Sequence, residues 1–249
     1  MNRDPVLFRV DGANGCGWER LNRCLTIAAA LQRRRRPTFF LSKLEPASLP
    51  FAIKRGGNEW LEADEPAGTE NDLVETIQEI RRRRPAAVVV DAERVAADYL
   101  AELAQTGVLI VSLDHLANIR FPSHLVINPL LEPGRDAYDF FPDTQLLLGR
   151  RYAIVRPEIR RVRQLRSQDP SQPFRTVIAI GEASLPQTSS HLAKLLLPVA
   201  RLSRIDFVAR PIGPEAPKLQ TLVAAHPDRL DFVREPGEVS ARLARCHFA

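Results

Sequence analysis

VLFRVDGANGCGWERLNRCLTIAAAL, residues 6–31, is the stretch that decides the fold of the amino-terminal half. Its apolar start at residues 6–10 predicts a strand, glycines punctuate the loop that follows, and apolar residues then recur at helical spacing. This order is typical of the first strand, loop and helix of a Rossmann-type domain. Ligands bind outside the carboxyl ends of the strands in such sheets, so residues 11–19 are the first candidate site.

Further buried strands are predicted along the chain. Residues 38–41 (TFFL), 86–91 (AAVVVD) and 108–114 (VLIVSLD) are apolar without alternation, and helical patterns separate them. Strands with two apolar faces need helices on both sides, which predicts an α/β fold with a parallel sheet. Residues 42–68 have no clear period and are predicted to form a short strand and loops.

Two domains are predicted. The segment SQDPSQP at residues 167–173 combines proline and serine without apolar periodicity, which is typical of a linker. We therefore expect a first Rossmann-like domain at residues 1–166 and a second, nucleotide-binding one at residues 174–249. The second domain repeats the alternation, with a helix predicted at residues 191–202. Its sequence stops at CHFA, where the next strand is expected to start, so the second domain is predicted to be incomplete.

The charge of the chain is positive, with a formal value of +5 and an isoelectric point near 9.5. Much of the excess lies in two arginine tetrads, at residues 33–36 and 81–84, and each precedes a proline. Cations at the end of a helix complement the negative end of its dipole, so each tetrad is predicted to close a helix. Aromatic residues do not interleave with either run, which favours solvated helix ends over a nucleic-acid patch.

Cysteine spacing and hydropathy limit the metal sites and the cellular locations that the sequence allows. The three cysteines, Cys16, Cys24 and Cys246, form no CxxC pair or other metal-ligand spacing. We therefore expect a reducing compartment, no metal site and no cofactor. No stretch is long and apolar enough for a signal peptide or a membrane span, so a cytoplasmic protein is predicted.

An ordered series of motifs runs through the first domain. It comprises VDGANGCGWERLNRCL, a strand ending in VVVD, VLIVSLDHLANI, LVINPLL and LLLGRRYAIVRPEI. This series resembles the UDP-sugar hydrolases of the pseudaminic acid pathway and the related spore-coat polysaccharide proteins. The resemblance covers the whole first domain, and it is close at the following positions: Val10, Asp11, Arg23, Cys24, Leu25, Asp91, Asp114, Leu116, Ala117, Asn118, Asn128, Leu148, Gly149, Tyr152, Arg156, Pro157 and Glu158.

The resemblance implies an architecture and a reaction. Two Rossmann-like domains of the glycosyltransferase B type are expected, with the nucleotide held mainly by the second. The implied reaction removes UDP from an activated amino sugar by attack of water, without a metal, and a histidine in the first glycine turn assists. The implied substrate contacts in the first domain fall at the following residues: Asp11, Gly17, Arg23, Asp91, Asp114 and Asn128. Asp91 and Asp114 could equally cap the next loop or helix.

The first glycine turn departs from the pattern of the family. Aligned on Asp11 and Arg23, the chain places Arg20 where the family has its histidine and Glu19 where it has a glycine. A guanidinium stays protonated at neutral pH, so Arg20 cannot activate water as a base. Glu19 is a possible substitute base, yet its side chain occupies a place where the backbone would approach the ligand.

The second domain departs as well. Its first loop keeps Gly181 but carries Glu182 in place of a glycine, and an acidic side chain facing a diphosphate is unfavourable without a cation. The family segment GAGGSTxWE, which holds the nucleotide, would begin just after Ala249. A protein partner that supplies the missing elements is therefore one expectation.

Four interpretations remain open. The chain is an active nucleotide-sugar hydrolase, a glycosyltransferase-like enzyme in which Glu19 or Arg20 serves an acceptor sugar, a non-catalytic sugar-binding or interaction protein, or a truncated gene product. The expected partner is a nucleotide sugar or glycan precursor of nonulosonate or surface-glycan synthesis, and no nucleic-acid partner is expected.

Overall fold

The computed structural model describes residues 4–12, 18–45, 49–92, 94–130, 132–162, 173–179, 188–208, 216–233 and 236–248. The chain divides into two units, Met1–Val155 and Arg156–Ala249. Both units are built from parallel strands with connecting helices, as predicted. No helix in these ranges is both long and apolar enough to cross a bilayer.

The first unit alternates strands and helices from its start. Its strands are β1 (Val6–Val10), β2 (Thr38–Ser42), β3 (Glu59–Glu62), β4 (Ala87–Asp91), β5 (Leu109–Leu113), β6 (Arg120–Phe121), β7 (Leu125–Asn128), β8 (Asp139–Phe140) and β9 (Gln145–Leu148). Its helices are α1 (Trp18–Gln32), α2 (Leu49–Arg55), α3 (Glu70–Arg83) and α4 (Ala97–Ala104), with short 3-10 turns at Arg135–Ala137 and Arg150–Tyr152.

Seven of the described strands form one parallel sheet in the order β3-β2-β1-β4-β5-β7-β9. Strand β1 lies between β2 and β4, with Phe8 opposite both Phe40 and Val89. Parallel strands all end at the same edge of a sheet. The residues that follow β1, β4, β5 and β7 therefore lie side by side, at the edge where α/β proteins bind ligands.

The core of this unit has two layers, one on each face of the sheet. Because side chains alternate along a strand, Val6, Phe8 and Val10 pack on one face with α1, whereas Leu7 packs on the other. The Phe8 and Phe40 rings stack on the first face at 4.7 Å between centroids. Arg9 shares the second face with Leu7 and is wholly buried there, which an apolar strand pattern does not predict.

Helices α1 and α3 end in left-handed residues that are not glycine. Arg35 has φ 58° after α1, and the amide of Arg36 donates to the Leu31 carbonyl, the bond that closes a Schellman turn. Arg84 has φ 46° after α3. The tetrad at 81–84 therefore closes a helix as predicted, but the tetrad at 33–36 lies beyond the last residue of α1, in the turn that leads to Pro37.

The second unit contains α5 (Pro157–Val162), β10 (Phe174–Ala179), α6 (Thr188–Leu196), β11 (Leu202–Val208), α7 (Ala216–Ala225), β12 (Leu230–Val233) and α8 (Pro236–Arg245). The described strands pair in parallel in the order β10-β11-β12. Phe248 makes a parallel bridge to Thr176 of β10, which confirms that CHFA leads into a strand position.

The boundary between the units differs from the predicted domain boundary. Helix α5 was assigned to the first domain, yet the division falls before Arg156, and α5 contacts α8 of the second unit. A linker at residues 167–173 stays a prediction, because residues 163–172 lie outside the described ranges.

Two local predictions were wrong. Residues 42–68 contain helix α2 as well as the expected short strand β3. The helix predicted at 191–202 ends at Leu196, and Leu202 already belongs to β11. Pro198 explains the early end, because proline has no amide to donate and clashes with the preceding turn of a helix.

Candidate functional site

Four of the predicted site residues stand at the ends of neighbouring strands. Asp91 and Asn128 are the last residues of β4 and β7, while Asp11 and Asp114 directly follow β1 and β5. In the sheet these strands lie in the order β1-β4-β5-β7, so the four side chains occupy consecutive places along one edge. The sequence motifs thus converge on the edge that α/β sheets use for ligands.

Arg23 and Asp91 form the central pair of this edge. Arg23 of α1 donates through Nε and Nη2 to the two carboxylate oxygens of Asp91, each at 2.5 Å. The Asp91 side chain is 1% exposed and that of Arg23 is 24% exposed. A fork of two parallel hydrogen bonds fixes the guanidinium plane, so α1 is held at one position against the end of β4.

Cys24 lies beneath this pair. Its Sγ is 3.6 Å from Asp91 Oδ2, and the side chain is fully buried. Burial raises the pKa of the Cys24 thiol well above its ordinary value, and the charge of Asp91 raises it further. Burial alone would lower the pKa of Arg23, but the hydrogen bonds and charge of Asp91 raise it. Cys24 is therefore a protonated packing group and not a nucleophile.

Asp11 is held by protein donors on both carboxylate oxygens. Oδ1 accepts from Arg9 and from the Lys43 amide at 2.9 Å, and Oδ2 accepts from the Ala67 amide at 2.6 Å. Arg9 also donates to the Glu65 carbonyl at 2.8 Å. Asp11 thereby ties the segments that follow β2 and β3 to the end of β1.

Asp114 closes the turn after β5. Its Oδ2 accepts from the amides of Leu116 and Ala117 and, at 2.7 Å, from the hydroxyl of Tyr138. Burial and the hydrogen bond to Asp114 raise the pKa of Tyr138, and the nearby side chain of Asn128 offsets part of that rise. Asp114 thus caps its loop, which is the second of the two roles considered for it. Asn128, the last residue of β7, is fully buried.

The remaining predicted residues lie around α1 and in the second unit. Glu19 is exposed on the first turn of α1, near enough to Arg23 for its charge to raise the pKa of that guanidinium. Arg20 is half-buried on the same turn. The predictions at Gly17 and Gly181 lie outside the described residues.

A small cavity opens between the carboxyl ends of β4 and β5. It measures about 30 Å³ and is lined among others by Asp114, His115 and Asn118. A polar space of this size has room for a single water. The larger concavity, about 770 Å³, lies between α3 and α4 at the opposite edge of the sheet and brings none of the predicted site residues together. No group of three or more metal-ligating side chains occurs among the described residues.

Sequence reasoning missed two residues that shape this edge. Arg9 was read as part of an apolar strand, although an arginine inside VLFRV is itself a signal that buried partners exist. Tyr138 carries no local signal, because it reaches Asp114 from a segment 24 residues further along the chain.

Comparisons with known proteins identify the fold. No family profile and no curated protein matches the chain in sequence. Among solved structures, MurG of Acinetobacter baumannii superposes with a TM-score of 0.56 at 11% identity over 97% of this chain and 71% of that one. Anabaena Alr3699/HepE, solved with UDP and glucose, superposes with a TM-score of 0.56 at 14% identity. The match covers 98% of this chain and 73% of that one.

UDP-GlcNAc 2-epimerase of Neisseria meningitidis, solved with UDP-GlcNAc, superposes with a TM-score of 0.52 at 7% identity. The match covers 97% of this chain and 76% of that one. Identities this low carry information on the fold alone. The parallel sheets of the two units and these likenesses agree with the predicted fold class. The chain is an α/β protein of the glycosyltransferase B fold.

Proposed function

We propose that this protein is a divergent nucleotide-sugar-binding protein of the UDP-amino-sugar hydrolase type, acting in nonulosonate or surface-glycan synthesis, with impaired or lost hydrolysis. One observation carries the proposal. The three aspartates at the carboxyl edge, Asp11, Asp91 and Asp114, each accept hydrogen bonds from two or more protein donors. Carboxylates that accept from several protein donors hold the edge together, which favours a structural role for them over activation of water.

The first turn of α1 supports the same conclusion. Arg20 stands where the resembling family has a histidine, and a guanidinium cannot deprotonate water at neutral pH. Glu19 is exposed, with the charge of Arg23 nearby. The base that the resemblance implies for hydrolysis is therefore lost at this turn, while the Arg23–Asp91 pair next to it is formed.

The nature of the ligand rests on the fold and the motif series. HepE and the meningococcal epimerase were solved with UDP or a UDP-sugar, and both share this fold at low identity. The resemblance of the first domain to UDP-sugar hydrolases points to the same ligand class.

Calorimetry and a turnover assay test the two halves of the proposal separately. We expect UDP or UDP-N-acetylglucosamine to release heat on binding and to raise the melting temperature. We expect no UDP release from a UDP-linked trideoxy diacetamido sugar at high protein concentration. Absence of heat with both ligands would refute nucleotide-sugar binding, and steady UDP release by the unmodified chain would refute the loss of hydrolysis.

An Arg20→His variant tests the cause of the loss. If the turn of α1 alone prevents hydrolysis, the variant releases UDP while Arg34→His, a matched change at an exposed turn, does not. Binding without turnover in both variants would place the defect elsewhere than at Arg20.

Transfer to an acceptor sugar is the second candidate function. The exposure of Glu19 favours it, because a carboxylate on the first turn of α1 is accessible to an acceptor hydroxyl. UDP release that depends on an added sugar acceptor, and that disappears in Glu19→Gln, would support transfer over binding alone.

A further inference from the structure

Three helices of the first unit end at the amino edge of the seven-stranded sheet, opposite the candidate site. Helices α1, α2 and α3 each lead directly into a strand, so their last turns meet where β2, β3 and β4 begin. Backbone hydrogen bonds join these segments: the Val6 amide donates to the Pro37 carbonyl at 3.0 Å, and the Ala86 amide donates to the Pro5 carbonyl at 2.8 Å. The two arginine tetrads, far apart in sequence, therefore lie at one edge.

The exposed cations of this edge form a dense group, which we call the amino-edge cations. Its members are Arg33, Arg34, Arg35, Lys54, Arg55, Arg81, Arg82 and Arg84. Among the described residues, Arg82 makes a 3.6 Å contact with Glu79 and Lys54 lies over the Trp60 ring, while the other six have no ion pair. Solvated cations that are free of partners remain available to an external anion.

Acidic side chains at the same edge do not neutralise the group. Glu59 and Glu79 both bind Arg83, which is largely buried and not a member of the amino-edge cations. Glu102 lines the same groove as Arg81 and Arg84, and Asp4 lies next to Pro5 at the start of β1. Eight cations confined to one edge therefore give that edge a positive potential, which attracts anionic surfaces.

Apolar side chains lie among these cations. Leu109, the first residue of β5, is 40% exposed at this edge. The concavity of about 770 Å³ between α3 and α4, described above, forms a groove at this edge. It is lined by Ile77, Ile80 and Val108 together with Arg81 and Arg84. A mixture of arginine and aliphatic surface suits the boundary between lipid headgroups and acyl chains.

The aromatic rings near the edge do not suit stacking on bases. Phe39 lies under the Arg83 guanidinium at 4.4 Å, and Trp60 lies under Lys54 at 5.4 Å. Single-stranded nucleic acids are bound through exposed aromatic platforms that alternate with cations. Both rings are half-buried and already covered, so the edge favours a lipid surface over a nucleic acid.

We propose that the amino-edge cations bind the protein peripherally to a bilayer that contains anionic phospholipids. Clusters of four to eight Lys or Arg side chains bind such surfaces, and the eight members here reach the upper end of that range. Attachment through this edge keeps the carboxyl edge, with Arg23 and Asp91, turned away from the headgroups. The proposal is independent of the proposed function, since it uses neither Arg20 nor any residue of the candidate site.

Vesicle co-sedimentation of the full chain tests the proposal. We expect binding to vesicles of 70% phosphatidylcholine and 30% phosphatidylglycerol, no binding to pure phosphatidylcholine, and loss of binding as salt rises and screens the charges. In the triple variant Arg33→Gln, Arg34→Gln, Arg81→Gln the partition coefficient falls about 100-fold, because each cation near the surface contributes about fivefold.

The control removes the same charge elsewhere. Arg150→Gln, Arg160→Gln, Arg161→Gln changes three exposed arginines outside the amino edge, and we expect its partition coefficient to stay within about twofold of the parent. Melting temperatures show that both variants are folded. No binding of the parent to the anionic vesicles, equal losses in the two variants, or binding to a 20-base-pair duplex without binding to vesicles would each overturn the proposal.

Discussion

Arg9 of β1 donates through Nε to Oδ1 of Asp72 at 2.5 Å, and both side chains are wholly buried. Asp72, on the first turn of α3, also accepts from the Tyr99 hydroxyl and the Gly68 amide, each at 2.8 Å. The pKa of Tyr99 is raised by burial first and by the charge of Asp72 second. One buried ion pair therefore joins the central strand to α3, α4 and the loop before α3.

Replacement of Arg9 by methionine tests how much this ion pair contributes to the free energy of unfolding. The change leaves two carboxylates, Asp72 and Asp11, without their cation, and removal of one partner of a buried pair costs about 3–5 kcal/mol. Urea unfolding followed by tryptophan fluorescence measures the loss, since Trp18 and Trp60 both belong to the first unit. Arg34→Met is the exposed control, and a loss below about 1 kcal/mol for Arg9→Met would show that the pair is not structural.

Cys24 is expected to resist alkylation in the folded protein. Burial and the charge of Asp91 raise its pKa, so the thiolate that reacts with iodoacetamide is scarce at pH 8. Peptide mapping by mass spectrometry after labelling measures the modified fraction. The same reagent in urea labels Cys24 and serves as the control, and equal labelling in both states would contradict the buried position.

Arg35→Gly is expected to raise the free energy of unfolding by about 0.5–1 kcal/mol. Arg35 occupies a left-handed position that costs energy for a residue with a Cβ, and glycine adopts it freely. Arg34→Gly is the matched control, because Arg34 is not left-handed and glycine there only adds entropy to the unfolded chain. Thermal and urea unfolding measure both variants, and stabilisation by Arg34→Gly would refute the explanation.

The second unit is expected to lose stability in acid through Asp231. Burial alone would raise the pKa of Asp231, but the Phe232 amide, Arg204 and Arg242 lower it. A folded-state pKa below that of the unfolded chain gives a stabilisation that is complete above about pH 4 and disappears as the pH falls through the folded value.

Hydrogen exchange of the β11 and β12 amides, corrected for intrinsic rates, measures this effect between pH 5 and pH 3. Asp231→Asn should flatten the pH dependence, whereas Asp228→Asn, an exposed neighbour, should leave it unchanged. An unchanged slope in Asp231→Asn would assign the acid sensitivity to other groups.

Local patterns predicted most of the fold. Strands β2, β4 and β5 were predicted to within one residue at each end, because continuous apolar runs between turn signals have few alternatives. Helix α2 was missed since its seven residues, LPFAIKR, are too few to show a helical period. Pro50 lies in its first turn, where proline is tolerated.

The placement of the candidate residues at one edge of the sheet was predicted, and their role as substrate contacts stays a prediction. Asp11, Asp91, Asp114 and Asn128 were placed at the correct edge because the ends of parallel strands coincide in every such sheet. Which groups bind each carboxylate depends on contacts between distant segments, as between Arg9 and Asp72, 63 residues apart. Such partners follow from tertiary packing and leave no periodic signal in the sequence.

Asp11 holds several segments of the first unit together. Its oxygens are used to hold Arg9 and the amides of Lys43 and Ala67, so the loss of this one carboxylate would release three segments at once. Selection for a foldable chain is therefore sufficient to preserve the aspartate, whether or not the chain turns over a substrate. A motif centred on such a residue therefore carries information about folding and none about catalytic activity.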